Sequence, residues 1–515
     1  MTSLERLGYC HSVPLGQQDL LILLGALRHQ LPSYLSGWNM KILILTTEPL
    51  PFPGLVTTGA GLRAWGLARG LESAGLSVEV AMPDEHLEGL DPQRRAAVEP
   101  HCFSRAHLGE FVRRRSPDAI VMQHWGLMRE LGHVDCPLAI DLAGPHLLER
   151  RFWGSRSPEN DRAEKIEALQ RADFVTCSGR SQRFYFLAFL DLAGFDVTDP
   201  DLCPVIPFSA DPNLPPEGER DLACFIYGGM FLPWQDPTRA LMTVLDAFGA
   251  AGRGRLRFFG GAHPSVDVSR GRFDHLVERL NSYSQAGSPR HPTVEMCGLR
   301  PFDQLVAEYC RAGVALDLME RNAERELAFP TRTVIYLWCG LPVIHPNYTD
   351  LVPLIERYNA GWVLDPGDMA GLREIIKTIL GEPDVVLKKG QDARRLVADQ
   401  LTWDKTIAPL AAWCHEPKVR EDKQLVAMRE VAREHRLADL ESELAATRSE
   451  LDRLRGKWIF RLAQKRRVWG PLLAPFAFLA SVLAAIFLFF ALWITRRSIP
   501  KNTSGDGGTS AAAQR

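Results

Sequence analysis

The sequence predicts an α/β protein: two tandem Rossmann-like domains, then a helical stalk and one transmembrane helix. Three observations carry this. From Met40 onward, apolar runs of strand length alternate with helix-compatible segments, the pattern of parallel sheets covered by helices. A Pro-, Glu- and Gly-rich stretch from Asp211 to Asp221 interrupts the alternation, which then begins again, so the domain is made twice. Val468 to Thr495 are 28 consecutive uncharged residues between Lys465-Arg466-Arg467 and Arg496-Arg497; about 20 apolar residues suffice to cross a bilayer. The expected divisions are a disordered extension at 1–39, domains at 40–215 and 216–416, a coiled-coil or amphipathic helix at 417–467, the span at 468–495 and a disordered tail at 496–515.

Residues 1–38 carry Leu20-Leu21-Ile22-Leu23-Leu24, too short to span and without the flanks of a signal peptide. They read as an extension or a misplaced start ahead of Met40. Met40 to Leu45 form the first buried strand. A loop with Pro51, Pro53 and Gly54 leads to Thr57-Thr58-Gly59-Ala60-Gly61 and a helix from Leu62 to Ala74, stopped by Gly75. Further strands are expected at 77–81, 118–122, 138–141, 174–177 and 204–207. The second series opens with Ala223 to Tyr227 and Gly228-Gly229, continues with a helix from Pro237 to Phe248, and has strands at 256–259, 294–297, 314–317, 341–344 and 361–364. The facing strand C-termini of two such domains make a cleft.

Composition narrows the function. With 60 basic against 62 acidic residues, there is no global electrostatic case for nucleic acid. Ten cysteines lie singly between Cys10 and Cys414, which fits a reducing compartment better than a disulfide framework. The sequence offers no metal-ligand cluster.

Glu324 to Thr333, running into Tyr336-Leu337-Trp338-Cys339-Gly340-Leu341-Pro342-Val343-Ile344, resembles the acidic loop, short helix and strand that bind the donor in retaining GT-B glycosyltransferases of the broad family 4 type. Supporting matches are Gly228-Gly229 with Trp234-Gln235-Asp236-Pro237, Gly260-Gly261-Ala262-His263-Pro264, and Ser178 to Arg183. The resemblance covers about Met40 to Cys414. It implies an acceptor-side first domain, a second domain that binds a nucleotide sugar, a glycan or lipid-linked acceptor, and no cofactor or bound metal. Two features depart from the family: Leu327 and Ile335 stand where a pair of glutamates is usual, and Met230 and Pro233 occupy a loop that often holds phosphate with Arg and Lys.

A sugar-nucleotide diphosphate needs positive charge facing it. A helix from Thr331 to Gly340 would aim its N-terminus at the cleft, and Arg332 in its first turn would bind phosphate or form a local salt bridge. Glu324 matches the position that hydrogen-bonds donor sugar hydroxyls; otherwise it is a solvated loop carboxylate. Gly59, Gly61, Arg63, Gly228, Gly229, His263 and Thr333 complete the expected donor site. His124, Asp141 and His146, at strand ends, are candidates for acceptor contact or proton handling, against structural roles. Two alternatives remain: a nucleotide-sugar epimerase and a degenerate membrane-tethered scaffold, which Ile335 would suit.

Leu437, Leu444, Leu451 and Trp458 share one seven-residue register, with Leu440, Thr447 and Leu454 at the companion position. This short seam fits a homodimer or one amphipathic helix folded onto enzyme or membrane. Lys457, Arg461, Lys465, Arg466 and Arg467 precede the span, and Arg496, Arg497 and Lys501 follow it. That bias predicts a single-pass membrane protein with cytosolic catalytic domains.

Overall fold

The computed structural model describes residues 40–154, 157–263, 271–285, 293–420, 423–456 and 458–497. The extension expected at 1–39 lies outside the described residues, as does the tail from 498. Two six-stranded sheets dominate, and every strand pairing in them is parallel. The first contains β1 (Lys41–Thr46), β2 (Ser77–Pro83), β3 (Cys102–Phe103), β4 (Ala119–Gln123), β5 (Leu138–Leu142) and β6 (Phe174–Cys177), in the order β3-β2-β1-β4-β5-β6. The second contains β7 (Asp221–Met230), β8 (Arg255–Gly261), β9 (Thr293–Met296), β10 (Ala312–Leu316), β11 (Val343–Pro346) and β12 (Gly361–Leu364), in the order β12-β11-β10-β7-β8-β9.

Helices cover both faces, so the central strands are buried throughout. Ile42, Leu43, Ile44 and Leu45 of β1 are wholly inaccessible, which is why they form an unbroken apolar run rather than an alternating one. The strand order of each sheet reverses once, between β1 and β4 in the first and between β7 and β10 in the second. Ligands of such sheets bind outside the strand C-termini at this reversal. Register also brings Thr46, Gln123, Asp141 and Thr176 side by side on β1, β4, β5 and β6, a polar row closing an apolar sheet.

Three features differ from the sequence expectation. Residues 204–207 form one bridge, Cys177 to Val205, rather than a strand, since Pro204 and Pro207 have no N–H for a ladder. The two-residue β3 is too short to announce itself. The third concerns the second domain's end: Thr402 bridges to Ala210, and the helices Trp403–Thr406 and Ala408–His415 return to the first domain. Ile407, Leu410, Ala411 and Cys414 share a core with Ile42, Ile44 and Leu67. Gly70 permits this approach, because a Cβ there would lie 2.9 Å from that of Ile407. Asp173 then fixes the chain beyond, accepting from the Arg420 amide at 3.0 Å and pairing with Lys423 at 2.6 Å.

Residues 427–515 form a separate unit containing most of the Lys423–Gly456 helix and the whole of the Trp458–Arg497 helix. Ala474–Trp493 has a mean hydropathy of 2.5 and none of it is buried. It is long and apolar enough to cross a membrane.

Candidate functional site

A cavity of about 350 Å³ lies between the C-terminal edges of the two sheets, within the range of small-molecule sites. The first domain contributes Glu48, Gly59, Arg63, Gln123, Gly144, His146 and Glu149, among others; the second contributes Gly228, Gly229, His263, Arg300, Asp317, Glu324, Arg325, Arg332 and Ile335. Of the residues expected from sequence, Gly59, Arg63, His146, Gly228, Gly229, His263, Glu324 and Arg332 therefore converge here, and Gly61, His124, Asp141 and Thr333 do not line the cavity.

Gly61 is glycine for a local reason, since a Cβ would collide with the Pro49 carbonyl oxygen. The helix it belongs to, Gly59–Ser73, is capped by Thr58, whose hydroxyl accepts from the Gly61 amide at 3.1 Å. Gly59 does face the other domain, with its Cβ direction 3.4 Å from Thr331. Arg63 is committed to Asp141: its Nε and Nη2 reach the two carboxylate oxygens at 2.9 Å each, and Nη1 donates to the Pro207 carbonyl at 3.0 Å. Thr176 donates to the same Asp141 carboxylate at 2.7 Å. Asp141 is fully buried, so it holds the domain together and is not placed to touch an acceptor.

The two histidines meet edge to face, with ring centroids 3.8 Å apart. His124 sits at φ 85°, a costly conformation for a residue with a Cβ. Its Nδ1 accepts from the Gly126 amide at 3.0 Å, leaving the proton on Nε2, which has no hydrogen-bond partner among the described residues. Desolvation, aided by the charge of His146, holds its pKa well below the ordinary value, so the ring is neutral. His146 starts the His146–Phe152 helix and pairs through Nδ1 with Glu149 at 2.7 Å. Burial raises Glu149, but the charge and hydrogen bond of His146 bring it below the usual carboxylate value. A carboxylate on Nδ1 orients the ring and leaves Nε2 for chemistry. Glu149 was not foreseen from sequence; its position three residues after His146, on one helical face, is the signal that could have found it.

Across the cavity, Gly228 and Gly229 precede Met230, the last residue of β7. A Cβ on Gly228 would meet the Tyr309 hydroxyl and one on Gly229 the Arg332 guanidinium, so both glycines make room for side chains of their own domain. Arg332 lies in the first turn of the Thr331–Trp338 helix, whose N-cap Pro330 offers no side-chain acceptor. Its guanidinium donates to Gln235 and, at 3.2 Å, to the Tyr227 hydroxyl, with Asp317 farther away at 3.8 Å. Thr333 is fully buried; its hydroxyl donates to Asp317 and lies 3.3 Å from His345. It therefore positions Asp317, at the end of β10, instead of reaching a ligand. Burial lowers His345 to about 4 against the opposing pull of Asp317.

Glu324 lies in the first turn of the short Ala323–Leu327 helix and is gripped by Arg325 at 2.6 and 3.0 Å. Burial raises its pKa despite that partner, and the Glu149 charge adds to the rise. His263 lies 4.0 Å from Glu48 of the first domain, its pKa lowered by burial. Pro264, the last residue of its motif, lies outside the described residues. A second contact joins the domains: Asp350 accepts from the Ser181 amide at 3.0 Å and its hydroxyl at 2.7 Å, at the start of the Arg180–Leu192 helix. The result is a two-walled site with a half-buried cation on one wall and a carboxylate–imidazole pair on the other.

No protein-family model matches the chain, and no curated protein matches it by sequence. Solved structures do. A sucrose-phosphate synthase from Thermosynechococcus elongatus is similar with a TM-score of 0.53 at 16% identity, over 73% of this chain and 99% of that one. An alpha-glucosyltransferase in complex with UDP is similar with a TM-score of 0.52 at 11% identity, over 73% of this chain and 100% of that one. At these identities the likeness establishes the fold, two facing parallel α/β domains of the GT-B type.

Proposed function

We propose that this chain is a membrane-tethered glycosyltransferase, moving a sugar from a nucleotide-sugar donor to a glycan or lipid-linked acceptor with retention of configuration. The observation that carries the reading is Arg332, a cation held at a helix N-terminus on the cavity wall and only loosely matched by Asp317 at 3.8 Å. Departure of a nucleoside diphosphate puts negative charge on its leaving oxygen. A fixed guanidinium and an uncapped helix N-terminus offset that charge as it forms, and Arg300 on the rim adds a second cation. The alpha-glucosyltransferase of the same fold is in complex with UDP, which makes UDP the first nucleotide to try.

On the facing wall, His146, oriented by Glu149 at Nδ1, presents its Nε2 to an acceptor hydroxyl. No protein nucleophile is assigned for the retained configuration. Glu324, gripped by Arg325, presents a fixed carboxylate edge to donor hydroxyls. The span at 474–493 would place this cavity near lipid-linked substrates, with the basic residues before it keeping the domains in the cytosol.

The test is calorimetric titration of the full-length protein in detergent with UDP and a panel of sugar nucleotides, followed by donor hydrolysis with the binder. Binding in the micromolar to millimolar range, with slow hydrolysis that an acceptor accelerates, supports transfer. Failure to bind any donor moves the protein to the scaffold reading, and release of an epimerised sugar nucleotide to the epimerase reading.

A further inference from the structure

The Lys423–Gly456 helix carries an apolar face that no described residue covers. Leu437, Leu440, Leu444, Leu451 and Leu454 are 51, 44, 50, 42 and 39% exposed, and they occupy the a and d positions of three heptads. Thr447 completes the seam; its hydroxyl donates to the Glu443 carbonyl at 2.7 Å, so it would bring no unsatisfied donor into an apolar contact.

The charges beside the seam identify what covers it. With Leu437, Leu444 and Leu451 at a, the g positions hold Arg436, Glu443 and Glu450, and the e positions hold Glu441, Arg448 and Arg455. In a parallel pair of helices in register, each g residue faces the e residue five positions later on the partner. The pairs are then Arg436 with Glu441, Glu443 with Arg448, and Glu450 with Arg455, opposite in sign every time. A slip of one heptad sets Arg436 against Arg448 and Glu443 against Glu441 and, within the seam, keeps only Glu443 with Arg455 and Glu450 with Arg448 as favourable pairs, so the charges favour the in-register pairing, in which every g–e contact is favourable.

We propose that this helix pairs with a second copy of the chain as a parallel, in-register, two-stranded coiled coil over residues 436–455. In the single chain Glu450 lies 3.9 Å from Arg453 and Arg455 lies 3.7 Å from Asp452. These exposed contacts contribute little, so both residues are available to exchange partners. Three heptads associate weakly alone; spans that follow in the same membrane would raise the local concentration of one helix around another. The pairing stands on the seam and its charges, independently of the transfer reaction.

Cysteine cross-linking of the full-length protein in detergent micelles tests it. The last native cysteine is Cys414, so the stalk begins without one. Leu437→Cys and Leu451→Cys, at opposite ends of the seam, should each cross-link to their own copies under mild oxidation well above the wild-type background, whereas Ser449→Cys on the outer face should not. Cross-linking at one end alone, or at the Ser449→Cys rate, overturns the parallel register. Sedimentation should give two chains per particle; one chain, or more than two, overturns the proposal. Glu443→Arg with Glu450→Arg should weaken association roughly tenfold, and mixing with chains carrying Arg448→Glu and Arg455→Glu should restore it. Unchanged association in the reversed variant removes the charge argument and the proposal with it.

Discussion

Each domain has, at or behind its wall of the cavity, an arginine, an aspartate at or just beyond a strand end and a threonine that donates to it, yet the two sets do different work. On the first wall Arg63 is held by both oxygens of Asp141 at 2.9 Å, with Thr176 on the same carboxylate. On the second, Arg332 stands 3.8 Å from Asp317, whose carboxylate is taken by Thr333. Sequence residue types are the same; separation is what differs. A guanidinium in a bidentate pair has spent its fork on protein, whereas one held by neutral groups such as Gln235 and Tyr227 keeps its charge for a ligand.

That contrast breaks down or sharpens under mutation. The largest stability effect is expected from Arg63→Ala, which strands a buried carboxylate and costs about 3–5 kcal/mol; chemical denaturation would read it. Arg332→Ala should instead slow turnover by about 2–4 kcal/mol in barrier, with a smaller stability loss than Arg63→Ala in the same denaturation series. If the two variants exchange these phenotypes, the assignment of one pair to architecture and the other to the donor is wrong. Glu324→Ala should lower turnover as Arg332→Ala does, and should also lower the melting temperature, because it strands the Arg325 guanidinium that the buried Glu324 carboxylate holds at 2.6 and 3.0 Å.

Thr333→Val, which keeps the volume and removes the hydroxyl, should cost about 1–3 kcal/mol and raise the donor KM if Asp317 then moves toward Arg332. The smallest effect concerns pH. His345 and His124 are both held below their ordinary pKa by burial or desolvation, His345 at about 4. The unfolded chain therefore binds protons that the folded chain refuses. Stability from these groups is complete above about pH 6.5 and declines as pH falls toward 4. Unfolding free energies measured from pH 7 to 4.5 should fall less steeply in His345→Gln; an unchanged slope would separate His345 from the acid limb.

Much of the fold was legible because buried parallel strands announce themselves: the Lys41–Thr46, Ala119–Gln123 and Leu138–Leu142 runs need no partner to be recognised. The donor wall was half legible, since Glu324 and Arg332 lie in one short contiguous motif. Asp141 and Arg63 were read as ligands because nothing local reveals that residues 78 positions apart neutralise each other. Thr333 misled for the same reason, its partner Asp317 lying on a different strand. Glu149 is not singled out by the sequence, and Gln235 figures there only within a supporting motif, because their value depends on which side chains they meet in three dimensions.

The return of residues 403–415 to the first domain has a consequence for synthesis. N-terminal domains generally fold as they leave the ribosome, at about 5–20 residues per second. This one cannot complete its core until Ile407, Leu410 and Cys414 have emerged, after the whole second domain. For roughly ten seconds or more at those rates, the apolar face that these residues cover on Gly59–Ser73 would be exposed. The nascent chain thus exposes an apolar surface that the finished protein conceals.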